Sequence, residues 1–277
     1  MKRPAPEPDV ALIGVDFSSR PTRRKPIVVA HGDASGAVLR LSRLERFDHL
    51  DAFGIWLTRP GPWIGGFDFP FGLPRELVEQ LGWPTEWRAC MQYYAALPRA
   101  TIRDTFAAFC AARPAGGKFA HRACDRPAGS SPSMKWVNPP VAYMLHAGVP
   151  LLLAAGVHLP AHRHAGDALR VALEAYPGLL ARAVVGVRSY KSDDAAKHTD
   201  ERLLARIVIV DALLEGRTPL GLALRADAAQ LNALVDDASG DALDAVLCLM
   251  QAAWAAARAN HGLPAQVDPL EGWIVSA

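Results

Sequence analysis

Five carboxylates stand where an ordinary surface acid would not. Asp16 lies in GVDFSS at Gly14–Ser19, Asp68 in GGFDFPFG at Gly65–Gly72, Glu174 in LEAYPG at Leu173–Gly178, and Asp241 and Asp244 in DALDA at Asp241–Ala245. Each motif sets an acid in or beside an apolar run, where it is costly unless a cation or hydrogen bonds compensate. Four such motifs spread along one chain predict convergence on a hard cation. All-oxygen ligands suit Mg2+ or Mn2+.

Each acid also has a plainer reading. Asp16 can cap a turn through the Ser18 and Ser19 amides, and Asp68 can form a turn among Pro70, Gly72 and Pro74. Glu174 can face solvent or bond Arg170 or Arg182. Asp241 and Asp244 share a helix face at i and i+3, and a first helical turn favours carboxylates. Against that, Ala245–Ala257 contains no charge and Gln251 as its only amide, so this helix reads as buried nearly all round and Asp244 as inward-pointing. Gly14, in the strand before Asp16, would let another backbone approach closely.

A basic group lies in RSYKSDDAAKHTDERLLAR at Arg188–Arg206. For most of its members a solvated helix face is expected, with local pairs such as Lys197 with Glu201. Lys191 and Lys197 precede or open that helix and are the candidates for a substrate phosphate. Arg122 and Lys135, in the Pro-, Gly- and Ser-rich segment Pro114–Pro140, are further phosphate candidates, with that segment expected beside the acids as a long loop or lid. His158 and His162 have HxxxH spacing, but Pro160 between them argues for a surface loop rather than a zinc-binding helix. HExxH, GxGxxG and GxxxxGKS motifs are absent, and the serines lack a nucleophile-elbow context. Cys90, Cys110, Cys124 and Cys248 form no CxxC pair, so a structural zinc site is not expected.

The elements that must position these residues follow from periodicity and breakers. Val10–Phe17 reads as a buried strand ending at Asp16, followed by strands at Pro26–Ala30 and Ala37–Leu41 that turn at His31–Gly36. Phe47–Leu57 reads as helix, Trp63–Phe69 as strand, and Pro74–Arg113 as helices broken near Gly82–Pro84 and Leu97–Pro98. Val141–Val157 reads as a helix interrupted at Pro150, and Leu169–Ala175 as a strand. Asp193–Leu214 and Asp241–Ala259 read as helices, and Glu271–Val275 as a short closing strand. This order predicts an α/β fold with a mixed sheet, and ligands in such sheets bind near the carboxyl ends of strands.

The set GVDFSS, FDFPFGLP, EAYPG, KHTDERLLAR, DALDAVLCLMQAAW and EGWI, in this order over Ala11–Val275, resembles the domain of unknown function 429 family, a group of predicted ribonuclease-H-like nucleases. The resemblance implies a ribonuclease-H-like mixed central sheet with flanking helices and a helical and loop insertion at about 74–157. The whole would be a single domain over 10–277 behind a Pro-rich tail at 1–9. It also implies a first acid on strand one (Asp16), a second on strand four (Asp68) and a last on a C-terminal helix (Asp241 or Asp244), with Glu174 an added strand-end acid.

The implied chemistry is metal-dependent phosphodiester hydrolysis, with two ions about 4 Å apart clamping an in-line displacement. Two other classes stand beside it: an actin-like ATPase or sugar-kinase-type phosphotransfer enzyme, and a catalytically silent binding module on the same fold. With 277 residues, 51% hydrophobic content and a net charge of +2, the chain has a sizeable core and no overall basic excess of the kind that announces a nucleic-acid binder. Nucleic acid is therefore a partner implied by the resemblance, not by charge. The N-terminus MKRPAPEPDV has no apolar signal core, and the longest apolar stretch, Val149–Val157, is too short to span a bilayer. A cytoplasmic setting without membrane contact is expected.

Overall fold

A computed structural model describes residues 10–277; the Pro-rich segment 1–9 lies outside the described residues. Its centre is a seven-stranded mixed sheet in the order β5-β6-β4-β1-β2-β3-β7. The strands are β1 (Ala11–Asp16), β2 (Ile27–Ser35), β3 (Val38–Phe47), β4 (Trp63–Phe67), β5 (Val157–His158), β6 (Asp167–Glu174) and β7 (Ala223–Arg225). The first three form an antiparallel meander, while β4 pairs parallel with β1, and β6 parallel with β4. This α/β architecture, with helices flanking the sheet, is consistent with a ribonuclease-H-like fold.

Between β4 and β5 come α2 (Arg75–Gln80), α3 (Trp87–Ala96), α4 (Arg99–Ala111), the single turn α5 (Asp125–Ala128) and α6 (Val141–Ala155). With α1 (Leu50–Leu57), the longer helices of this region cover one face of the sheet, where Ile13, Val15 and Phe67 meet Phe53, Tyr94, Phe106 and Leu145. The opposite face is covered by α10 (Asp241–Ala256), backed by α7 (Pro177–Val185), α8 (Asp200–Leu214) and α9 (Ala228–Asp236). Every residue of α10 from Asp241 to Ala253 is buried, as its uncharged sequence predicts.

The breaks at Gly82–Pro84 and Leu97–Pro98 separate α2, α3 and α4 as expected. Several expectations need correction. The meander strands are longer than predicted and turn at Gly36–Ala37, so His31 and Gly32 belong to β2; Phe47 ends β3 instead of opening a helix. Here cross-strand pairing over Ile27–Ser35 and Val38–Phe47 overrides the turn propensity of His31–Gly36. Helix α6 runs through Pro150: one missing N–H costs a single intrahelical bond, and burial of Leu145, Val149 and Leu152 offsets it. Helix α8 starts at Asp200 with Thr199 as its cap, leaving Asp193–His198 as loop and a short 3-10 turn. The closing segment makes only one bridge, Glu174 with Ile274.

The segment Pro114–Pro140 is not an open lid. Ala120, Arg122, Cys124, Asp125, Ser133 and Met134 are all buried, so much of it packs into the core, with the single turn α5 as its regular structure. His162 is likewise no surface loop residue: it is buried, its ring is stacked on Trp87 at 4.6 Å, and its Nδ1 lies 2.7 Å from the Pro269 carbonyl oxygen. Burial pushes its pKa down to about 3.

Candidate functional site

Strand parity places the first two acids. In β1, Ile13, Val15 and Phe17 enter the core under α1 and α6, so Leu12, Gly14 and Asp16 face α10. In β4, the register pairs Leu12 with Ile64, Gly14 with Gly66 and Val15 with Phe67. The Asp68 amide then continues the ladder, donating to the Val15 carbonyl at 2.9 Å. Asp16 and Asp68 thus sit side by side at the carboxyl ends of adjacent parallel strands, on the same face.

Helix α10 brings the third acid. A Cβ at Gly14 would collide with the Ala245 carbonyl and lie 2.7 Å from Leu249 Cα; one at Gly66 would lie 2.5 Å from the Cys248 carbonyl oxygen. Two glycines on neighbouring strands therefore let the α10 backbone rest directly on the sheet, with its first turn over the strand ends. Asp244, fully buried, projects from that turn. Asp16, Asp68 and Asp244 each bring one carboxylate oxygen to within 4.8 Å of the others.

These three acids lie on a cavity of about 860 Å3 or beside its wall: Asp16 and Asp68 line it, together with Lys25, Tyr190 and Lys191. Lys191 Nζ bonds Asp244 Oδ2, and the Tyr190 hydroxyl donates to Asp244 Oδ1 at 2.5 Å. Gly240, at φ 76° just before α10, leaves room for the Lys191 stem, which a Cβ there would meet at 2.7 Å. Burial, with Asp244 next, pushes Asp16 well above the usual carboxylate range. Burial also lifts Asp68 to about 7, with Asp244 and Glu174 adding to the rise against the lowering effect of Lys191. Burial alone would lower Lys191, but Asp244, Tyr190, Asp16 and Asp68 together hold its pKa well above the ordinary lysine value. Burial first, and the neighbouring carboxylates after it, thus disfavour the charged form of Asp16 and Asp68.

The other expected site residues are placed differently. Asp241 bonds Lys25 at 2.9 Å, and Lys25 also holds Asp193 at 2.5 Å, so Asp241 flanks the cluster without belonging to it. Glu174 pairs with Phe67 in the β4–β6 register and so leaves the sheet on the face opposite Asp68. Its carboxylate is taken by Arg122 through two bonds of 2.7 Å and by the Phe71 amide at 3.0 Å. Arg122 is 2% exposed and also bonds Asp125, so it is a buried structural partner and not a free phosphate contact. Lys135 is half-buried and does not line the cavity, although its segment does, through Arg122, Ser130, Ser131, Pro139 and Pro140. Lys197 is exposed, pairs with Asp194 at 3.4 Å and stays outside the cavity. Among the basic candidates of the α8 region, Lys191 alone meets the acids.

Lys25 and Tyr190 escaped sequence reading. Lys25 stands in the polar stretch TRRK, where nothing distinguishes it from its neighbours. Tyr190 had a usable signal: it adjoins Lys191, and Arg206, buried at 5% exposure, anchors it by donating to its carbonyl at 2.8 Å.

The fold and site define an α/β protein with a mixed seven-stranded sheet, in which Asp16 and Asp68 at strand ends meet Asp244 of α10. The chain belongs to the family described as protein of unknown function (DUF429), whose family model matches residues 14–268. No curated protein matches the chain, and no solved structure does.

Proposed function

We propose that the protein is a divalent-metal-dependent phosphodiester hydrolase acting on nucleic acid. The observation that carries this reading is the convergence of Asp16, Asp68 and Asp244 within 4.8 Å beside Lys191 and an 860 Å3 cavity. The donor set is all oxygen, which suits Mg2+ or Mn2+ and not zinc. A cation bound there supplies Lewis-acid polarisation of a phosphoryl oxygen and lowers the pKa of water.

The chain's own residues account for the rest. Asp16, Asp68 and Asp244 would hold the cation. Tyr190 fixes the rotamer of Asp244. Lys191 offers a positive charge to the phosphate as charge builds on it in the transition state. With Glu174 committed to Arg122 and Asp241 to Lys25, three carboxylates remain, which favours one cation aided by Lys191 over a two-ion site. Water adds to phosphorus and gives up one proton, the bond from phosphorus to the leaving 3′ oxygen breaks, and that oxygen takes up a proton. Cytoplasmic residence fits the four cysteines, all unpaired and buried. Among the described residues no helix is long and apolar enough to cross a membrane.

The test is cleavage of single-stranded, duplex, hybrid and branched substrates with Mg2+ or Mn2+, by wild type and by Asp16→Asn, Asp68→Asn and Asp244→Asn. Activity is expected only in wild type, with unchanged circular dichroism in all four proteins. Equal trace activity in wild type and Asp16→Asn would mark contamination and remove the reading's support.

A further inference from the structure

A second hollow adjoins the carboxylate cavity and shares Ser18, Ser19 and Pro140 with it. It measures about 460 Å3, and its other walls are Arg20, Arg99, Ala100, Arg103 and Tyr143. Three guanidinium groups therefore face one concavity. Arg103 is paired with Asp104 at 2.7 Å, but among the described residues neither Arg20 nor Arg99 has a carboxylate partner.

Arg99 is held in place. It donates to the Ser19 carbonyl at 3.1 Å, and its guanidinium lies 5.0 Å from the centre of the Tyr143 ring, whose hydroxyl donates to the Arg99 carbonyl at 3.3 Å. Burial lowers its pKa, and the charge of Arg20, which lines the same hollow, lowers it further. Two arginines lining one hollow and, among the described residues, without a carboxylate partner form a receptor for an anion. A planar guanidinium fork matches a phosphate's geometry.

Position narrows the anion. Ser19 is three residues beyond Asp16, so chain reach keeps the Cα atoms of these two residues within about 10 Å of each other. Two sites for phosphate chemistry joined by one serine-lined passage suit two phosphates of one strand. Tyr143 and the stacked Arg99 add a planar surface of the kind on which bases of single strands rest.

We propose that Arg20 and Arg99 form a second phosphate subsite, which holds a neighbouring phosphodiester of a single-stranded nucleic acid while another lies at Asp16, Asp68 and Asp244. This rests on the phosphodiesterase reading for the role of the carboxylates, but the subsite itself is a matter of binding and can be tested without turnover.

The experiment measures fluorescence anisotropy of labelled oligothymidylate, a dinucleotide and an octanucleotide, in EDTA over a salt series. It uses wild type, Arg20→Ala, and Arg20→Ala combined with Arg99→Ala. Among the described residues the Arg20 side chain makes no hydrogen bond or ion pair, so its single variant is expected to keep the fold whatever the double variant does. The octanucleotide is expected to bind the double variant about tenfold more weakly. Its slope of log affinity against log salt should fall by about 0.7 for each lost contact.

Hydrolysis of bis-p-nitrophenyl phosphate, which carries one phosphate, is measured in wild type beside the binding series as the separate test of the hydrolase reading. If neither diester nor oligonucleotide is cleaved by wild type, the hydrolase reading fails while the binding result still decides the subsite. Unchanged octanucleotide affinity and slope in Arg20→Ala and the double variant would overturn the proposal. So would inorganic phosphate competing as strongly as the octanucleotide, because the hollow would then be an isolated phosphate site.

Discussion

Gly14 carries no side chain where the Ala245 carbonyl of α10 rests against β1, and this contact sets the height of Asp244 above Asp16 and Asp68. Gly66 repeats the device one strand over, against Cys248. Backbone cannot yield as the end of a flexible side chain can. Gly14→Ala is therefore expected to cost about 3 kcal/mol or more, the upper range for overpacking. Chemical denaturation checks this against Gly117→Ala, where a Cβ would have no neighbour closer than 3.9 Å and stability should stay within about 0.5 kcal/mol.

The cluster's pH behaviour follows from Asp68. Its folded pKa is raised by burial to about 7 from 3.8, so between those values the native state binds more protons than the unfolded chain. Stability tied to this group is fully present below about pH 4 and is lost as pH rises to about 7. Asp68→Asn stays neutral and escapes that loss. In EDTA the variant's Tm should gain on that of wild type between about pH 4 and 7, then hold a constant lead above 7. A lead that shrinks with rising pH would contradict the assignment.

In the proposed function Lys191 opposes a cation and serves a phosphate, so its removal should separate the two. Lys191→Met keeps the stem and deletes the charge. Calorimetry should show tighter Mn2+ binding than in wild type, because an ammonium bonded to Asp244 no longer repels the ion. Single-turnover cleavage should fall about 100-fold, as for loss of one preorganised donor. Weaker Mn2+ binding in this variant would make Lys191 a scaffold for Asp244 instead.

Arg122 and Lys135 should behave oppositely to a shared substrate role. Arg122→Ala leaves Glu174 and Asp125 buried without their cation and is expected to lower stability by about 3–5 kcal/mol. Lys135→Ala, which breaks no ion pair, should change neither stability nor the salt dependence of oligonucleotide binding. Urea denaturation and the anisotropy salt series measure the two effects.

Much of this protein was legible in the chain. Apolar runs ending in an acid located β1 and β4. The absence of charge after Ala245 showed that α10 is buried, and Gly14 marked a close backbone approach. These are local properties: a carboxylate in an apolar run is costly wherever the run packs. Which acids meet was not local. Glu174 looks like Asp68 in sequence, each at the end of a buried strand, but one step of strand parity sends it to the other face and to Arg122. Asp241 and Asp244 share a helix face, yet the seating of α10 on Gly14 and Gly66 gives Asp244 to the cluster and leaves Asp241 to Lys25. Register between strands and the height of a helix on a sheet are set by contacts between distant residues, so only the tertiary structure could decide which three of five carboxylates form the site.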